Sequence, residues 1–263
     1  IHLTDCLENL RPLIEQNHMY IRIASNDFFA VSKDVVSKMI TGEYNAQQAY
    51  EAFDAALRQP KDDSADVILT SDKAYSNIFH IDGGSESYSV MANSLREVYG
   101  SDVLIATGNS FTGSVLQADY TEKMVGYMIM PNGLMSFHRD MTGGELKETI
   151  RAYVEGAEGG FKPFNRGSLP VVSGITIEVE ENKDTYTLSK VKRDGAEIKD
   201  DETFTVTCLA AYGFFAPFLA DESRVFTESE EPVRAAWTNF VKSGDVVLAQ
   251  PEHYITLMRS DLS

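Results

Sequence analysis

No stretch of this chain stays apolar for anything near the roughly 20 residues that a helix needs to cross a bilayer, so the sequence carries no transmembrane segment. Cysteine is almost missing: only Cys6 and Cys208 occur among 263 residues. They stand far apart, and neither a C-x-x-C pair nor a zinc-type spacing exists. Pairing of the two and a free, buried Cys208 in its apolar strand-like run both remain open. So few cysteines suit the cytoplasm and the surface of an anaerobic bacterium alike. Basic residues are also scarce, 23 against 40 acidic ones, for a net charge of −17. Such a surface repels phosphate backbones at long range and argues against general nucleic-acid binding. A small anionic ligand would need a local basic pocket to overcome that field.

What is present is ordinary for a globular protein: 43% apolar and 24% charged residues, on a length that supports one good core or two small ones. The chain starts at Ile1 without a methionine or a signal sequence, and we read it as a trimmed or processed piece. Residues 1–66 are expected to be mostly helical. Leu7, Leu10, Leu13 and Ile14 sit at helical spacing, Ser32 precedes a short helix closed by Gly42, and Asn45 caps a longer one running to Arg58. Residues 59–64, with Pro60 and three charges, read as a linker.

From residue 67 to 263 strands and helices mix. Strands are expected at Val67–Leu69, Asn77–Ile81, Val103–Ala106, Gly174–Glu181, Tyr186–Arg193 and Thr203–Cys208. Helices are expected from Glu86 to Tyr99, ended by Gly100, and from the Thr142/Glu145 capping box to about Glu155, stopped by Gly156. A late helix is expected over Glu230–Lys242. Asn182-Lys183-Asp184 and Asp194-Gly195 read as hairpin turns. Hairpins beside crossovers indicate an α+β class, a mixed sheet with flanking helices.

The usual catalytic signatures are missing. There is no G-x-S-x-G, no phosphate-binding G-x-x-x-x-G-K-S/T and no H-E-x-x-H. Ser189-Lys190-Val191-Lys192 matches S-x-x-K only formally, because it falls in a strand-like segment rather than on a helix. For metal-dependent hydrolysis the best ligands are His80 with Asp82 and His138 with Asp140, each pair two positions apart on one side of a strand. They would have to converge, and structural or surface histidines are the plainer reading.

Several short motifs stand in a suggestive order. Gly100-Ser101-Asp102 leads through Val103–Thr107 into Gly108-Asn109-Ser110-Phe111-Thr112. Ala118-Asp119-Tyr120-Thr121 follows, then Ile129-Met130-Pro131-Asn132-Gly133 and Met141-Thr142-Gly143-Gly144-Glu145-Leu146. Further on come Ser173-Gly174-Ile175 and Asp201–Cys208. Together these resemble the C-terminal domain of the 5′-nucleotidase family. Its glycine-rich loop, G-D-I/V-T, P-F-G, L-T-G-x-x-L and S-G-L/I elements occur in that sequence. The Ser32–Leu57 run is similar to the late helices of bacterial extracellular solute-binding lipoproteins.

The resemblance implies a 5′-nucleotidase C-terminal-like α+β domain at 67–263 that holds the nucleoside part of a substrate. It places divalent metals and catalysis in an upstream metallophosphoesterase domain, leaving no cofactor in this chain. It also implies an exported or surface-attached bacterial protein. In the family an arginine of the glycine-rich loop grips ligand oxygens, and two aromatic rings sandwich the base. Here Thr112 stands at the loop arginine position, Thr107 at its asparagine, and Asn132 at the P-F-G phenylalanine. Gly108 keeps a glycine ahead of Asn109 and Ser110. The family's G-G-D-G-F/Y turn is replaced by residues 210–217, in which Tyr212, Phe214 or Phe215 could supply a ring or simply pack. The expected ligand contacts are Thr107, Gly108, Asn109, Ser110, Thr112, Asn132, Phe214 and Phe215. Three readings stay open: a non-catalytic domain for a nucleoside, a nucleotide or an altered ligand; a divergent metal-dependent hydrolase; and a surface interaction module without a small ligand.

Overall fold

The computed structural model describes residues 35–52 apart from 36, 46 and 50, and residues 66–112, 114–131, 133–155, 170–182, 185–211, 225–244 and 246–259. Chain contacts divide the molecule into two compact units, Ile1–Asp66 and Val67–Ser263. In the first, the backbone N–H of Gln48 donates to Asn45 Oδ1 at 2.9 Å, and Asn45 N–H donates back to Gln48 Oε1 at 3.0 Å. This reciprocal cap satisfies two otherwise orphaned groups where a helix begins. Gly42, with φ +78°, turns the chain after helical residues 37–40. The helix expected over Leu7–Ile14, the linker at 59–64 and Cys6 lie outside the described residues.

The second unit is built in chain order from β1 (Val67–Ser71), α1 (Glu86–Tyr99), β2 (Val103–Thr107), β3 (Ala118–Thr121), α2 (Glu122–Gly126), β4 (Met135–Thr142) and α3 (Gly143–Glu155). It continues with β5 (Pro170–Ser173), β6 (Thr176–Asn182), β7 (Thr185–Arg193), β8 (Ala196–Glu197), β9 (Thr203–Ala210), β10 (Thr227–Glu228), α4 (Val233–Lys242) and β11 (Ile255–Arg259). Five strands form a sheet in the order β10-β4-β9-β2-β5, four form another in the order β11-β6-β7-β8, and β1 pairs with β3. The β2–β9 and β11–β6 pairs are parallel, the others antiparallel. This is the mixed α+β architecture expected from the sequence.

Local chemistry sets the element ends. The Ser85 side chain accepts from Tyr88 N–H at the start of α1, and Gly100 ends it in the left-handed conformation, φ +58°. Thr142 and Glu145 form their reciprocal cap ahead of α3. Leu146, Ile150, Tyr153 and Val154 then bury one face of that helix. Asp194 and Gly195, φ +52° and +79°, make the tight turn from β7 into β8. A register shift between Glu178 and Val179 lets both Leu188 and Val191 face the core.

Helix α1 is buried along every residue from Ser87 to Leu95, polar ones included. An extended C-terminal segment covers its polar side. The backbone N–H of Ala249 donates to Ser94 Oγ and that of Glu252 to Ser89 Oγ, while Asn93 Nδ2 donates to the Gln250 carbonyl. Small hydroxyl and amide side chains can be buried here because each meets a backbone partner.

Three expectations are corrected. Asn77–Ile81 is not a strand: Ile78 is exposed, and His80 folds back to pair with Gly84. Gly83 and Gly84 both have positive φ, and a Cβ on Gly84 would stand 2.3 Å from the Tyr254 ring. The strand expected over Gly174–Glu181 starts at Thr176. Gly174, φ +82°, is the corner at which the chain leaves the five-stranded sheet for the four-stranded one. The late helix starts at Val233, after Pro232, rather than at Glu230.

Candidate functional site

Because β2 and β9 run parallel, their C-terminal ends, Thr107 and Ala210, lie at the same end of the five-stranded sheet. Antiparallel β4 begins there, with Met135 opposite Ala210. The loop leaving β2, the chain entering β4 and the chain leaving β9 therefore converge. Loops at the carboxyl ends of parallel strands are a common place for ligands in mixed sheets.

The first of these loops makes a single tight helical turn at Gly108–Ser110 and returns to extended backbone at Phe111. Phe111 then pairs with Ile129 as an antiparallel bridge. Met130 N–H donates to the Ser110 carbonyl and Thr112 N–H to the Met128 carbonyl, both at 3.1 Å. Phe111 is buried beside Tyr88, their ring centroids 5.8 Å apart, and Ile129 is fully buried. Burial of these two side chains pins a polar loop to the core.

Among the expected contacts, Thr107, Gly108 and Ser110 are buried, whereas Asn109 and Thr112 are half-buried. The buried members shape the loop, and Asn109 presents an amide able both to donate and to accept. Asn132, Tyr212, Phe214 and Phe215 lie outside the described residues. Their flanks, Pro131 with Gly133 and Ala211, adjoin the same end of the sheet through the Met135–Ala210 pairing.

The opposite end of the sheet is held by Asp102. Its carboxylate accepts from Thr205 N–H and Thr205 Oγ1–H at 3.0 Å each, and from Arg193 Nη2 at 3.0 Å. The Thr205 backbone donor, then the Thr205 hydroxyl and the Arg193 cation, hold the carboxyl below the usual range against the opposing effect of burial. These partners account for an aspartate at this point as a brace between β2, β7 and β9.

The proposed metal quartet does not assemble. His138 lies on β4, its ring nitrogens 3.0 Å from Ser136 Oγ and Thr207 Oγ1, and burial pulls its pKa down. It lines a shallow cavity of about 330 Å³ with Tyr99, Ser101, Asp140 and Thr205. His80 instead sits in the turn ahead of α1, and Asp82 there accepts from Leu257 N–H at 3.1 Å. No group of three or more His, Cys, Asp or Glu able to hold a metal ion occurs among the described residues. The four side chains His80, Asp82, His138 and Asp140 thus offer no common centre for a metal-bound water. Ser189 and Lys192 lie on strand β7 and bond to Glu180 and Glu178, consistent with a chance S-x-x-K match. Cys208 is a free, fully buried thiol whose pKa burial raises, so it offers no nucleophile near neutrality.

No protein-family model and no curated protein sequence matches the chain. Solved structures do match its fold. A 5′-nucleotidase precursor from Thermus thermophilus superposes with a TM-score of 0.59 at 15% identity, over 80% of this chain and 43% of the other. The NAD nucleotidase of Haemophilus influenzae gives 0.54 at 16% identity, over 82% and 42%. The chain spans less than half the length of either. It has the α+β fold of the 5′-nucleotidase C-terminal domain, at low identity. No helix among the described residues is long and apolar enough to cross a membrane.

Proposed function

We propose that residues 67–263 form a ligand-recognition domain of an exported, bacterial 5′-nucleotidase-like protein, and that the ligand is a nucleoside or the nucleoside part of a nucleotide. The pairing of Phe111 with Ile129 carries this reading, because it draws the loop after β2 and the turn before β4 to the sheet end where β9 leaves. Asn109 would bond the ligand's polar edge, with Thr107, Gly108, Ser110 and Thr112 shaping the loop. Asn132 and one ring from Phe214 or Phe215 would complete the contacts. With threonine in place of the family's loop arginine, the Thr107–Thr112 loop itself supplies no cationic fork, which favours a neutral nucleoside over a phosphate.

Catalysis, on this reading, belongs to a metallophosphoesterase domain upstream, which would supply the divalent ions. A surface-attached location fits that assignment. The test is a thermal-shift screen of the purified chain with adenosine, guanosine, uridine and cytidine, alongside phosphate release from AMP with added manganese. The proposal expects a concentration-dependent rise in Tm with at least one nucleoside and no phosphate release. Silence across all four nucleosides would favour an interaction module, and robust phosphate release would establish a hydrolase within the chain.

A further inference from the structure

Arg234 lies far from the candidate loops in sequence, yet its Nη2 donates to the Ile129 carbonyl at 2.7 Å. Ile129 is the residue that bridges Phe111, and the next amide, Met130 N–H, donates to Ser110. One guanidinium on α4 thus holds the backbone through which the two loops meet. The arginine is itself fixed: its cation lies 5.4 Å from the Tyr127 ring centroid. Gly126 on α2 leaves room for its stem, since even a Cβ added there would stand 3.7 Å from Arg234 Cγ and Cδ. A cation on an aromatic face, with a planar fork of donors, is pre-organised in a way a flexible ammonium is not.

The surrounding chain runs the same way. Residues 227–234 lie alongside 138–129: Thr227 pairs with His138, Ser229 N–H donates to Ser136, Val233 N–H donates to Leu134, and Arg234 reaches Ile129. The first contacts are ordinary backbone pairing that any side chain would allow. Besides Ser229 Oγ, which accepts from Ser136 N–H, the last is the contact that depends on side-chain identity, and it falls at the loop junction. Ile129 is fully buried with this donor in place, and removing the donor leaves its carbonyl without that partner at the loop junction.

We infer that Arg234 is a positioning residue for the ligand-binding end of the sheet: it fixes the Ile129 carbonyl, and through it the mutual placement of Ser110–Thr112 and Met128–Met130. The inference rests on the ligand reading proposed above, and its test separates the two. Amide hydrogen exchange would be followed in the full chain for wild type, R234M and R234K, with adenosine affinity measured on the same samples. In R234M the Met130 and Thr112 amides should exchange at least about tenfold faster, while those of Val206 and Cys208 in β9 stay unchanged. R234K, which can still place one donor at Ile129, should recover most of the protection. Adenosine Kd should rise about tenfold in R234M, equivalent to about 1.4 kcal/mol, and recover in R234K. Unchanged Met130 and Thr112 exchange would overturn the inference, as would equal acceleration throughout the sheet. If wild type binds neither adenosine nor guanosine, uridine or cytidine, the ligand reading fails, and the exchange pattern still decides whether Arg234 places these loops.

Discussion

Asp102 and Thr205 bind each other in both directions across two parallel strands. Thr205 donates its backbone N–H and its hydroxyl to the Asp102 carboxylate, while Asp102 N–H donates to the Thr205 carbonyl at 3.0 Å. Arg193 adds a third donor from β7. The contact braces β2 and β9 at the end opposite the candidate site, so that both strands deliver their loops in register.

Replacing Asp102 with asparagine removes the charge that these donors favour. Asp102 is partly exposed and solvent screens its ion pair, so the cost comes mainly from weaker hydrogen bonds and should be about 1 kcal/mol. Its folded pKa is depressed, so its contribution is present above the unfolded carboxylate pKa of about 3.9 and is lost as pH falls through the folded value. Urea midpoints measured between about pH 6 and pH 3 should show a shallower acid decline in D102N than in wild type. Parallel curves would contradict the brace.

Gly174→Ala should destabilise the protein by about 2 kcal/mol or more. The position has φ +82°, and its new Cβ would fall 2.0 Å from the Asp102 carbonyl oxygen. Both faults act at the corner that feeds the four-stranded sheet. A urea midpoint in G174A within error of wild type would show that the corner relaxes freely.

Burial depresses the His138 pKa, which makes the neutral ring the form compatible with its place between Ser136 and Thr207. Its stabilising effect is therefore full above the unfolded histidine pKa of about 6.5 and is lost as pH falls through the folded value. Wild type should lose stability between about pH 7 and pH 5.5, and H138Q should lose less over that interval. Urea midpoints at the two pH values would decide, and an equal loss would remove His138 from the account.

Much of this fold is readable where structure depends on near neighbours. Ser85 and Gly100 bracket α1, Thr142 with Glu145 starts α3, and Asp194-Gly195 turns β7 into β8; in each case the deciding bonds or angles lie within a few residues. Strand β11 had no such marker. Ile255–Arg259 becomes a strand by lying parallel to β6, far away in the chain. Asn77–Ile81 misled for the reverse reason: an apolar pattern suggested a strand, but the two glycines after Asp82 turn the segment back on itself. The candidate loop was legible through the order of its motifs. Its attachment was not, because Phe111 meets Ile129, and Arg234 meets Ile129 from 105 positions away. No local pattern marks an arginine that will bond a distant carbonyl.

The central claim is that the Thr107–Thr112 loop and the turn before β4 together receive a nucleoside. Backbone amide shifts of the full chain, titrated with adenosine, guanosine, uridine and cytidine, test it most directly. The account expects saturable shifts at Asn109, Ser110, Thr112 and Met130 with at least one of them, lost or strongly weakened in N109A, and none at Asp102 or Thr205. Saturable shifts confined to the cavity beside His138, or none with any nucleoside, would contradict it.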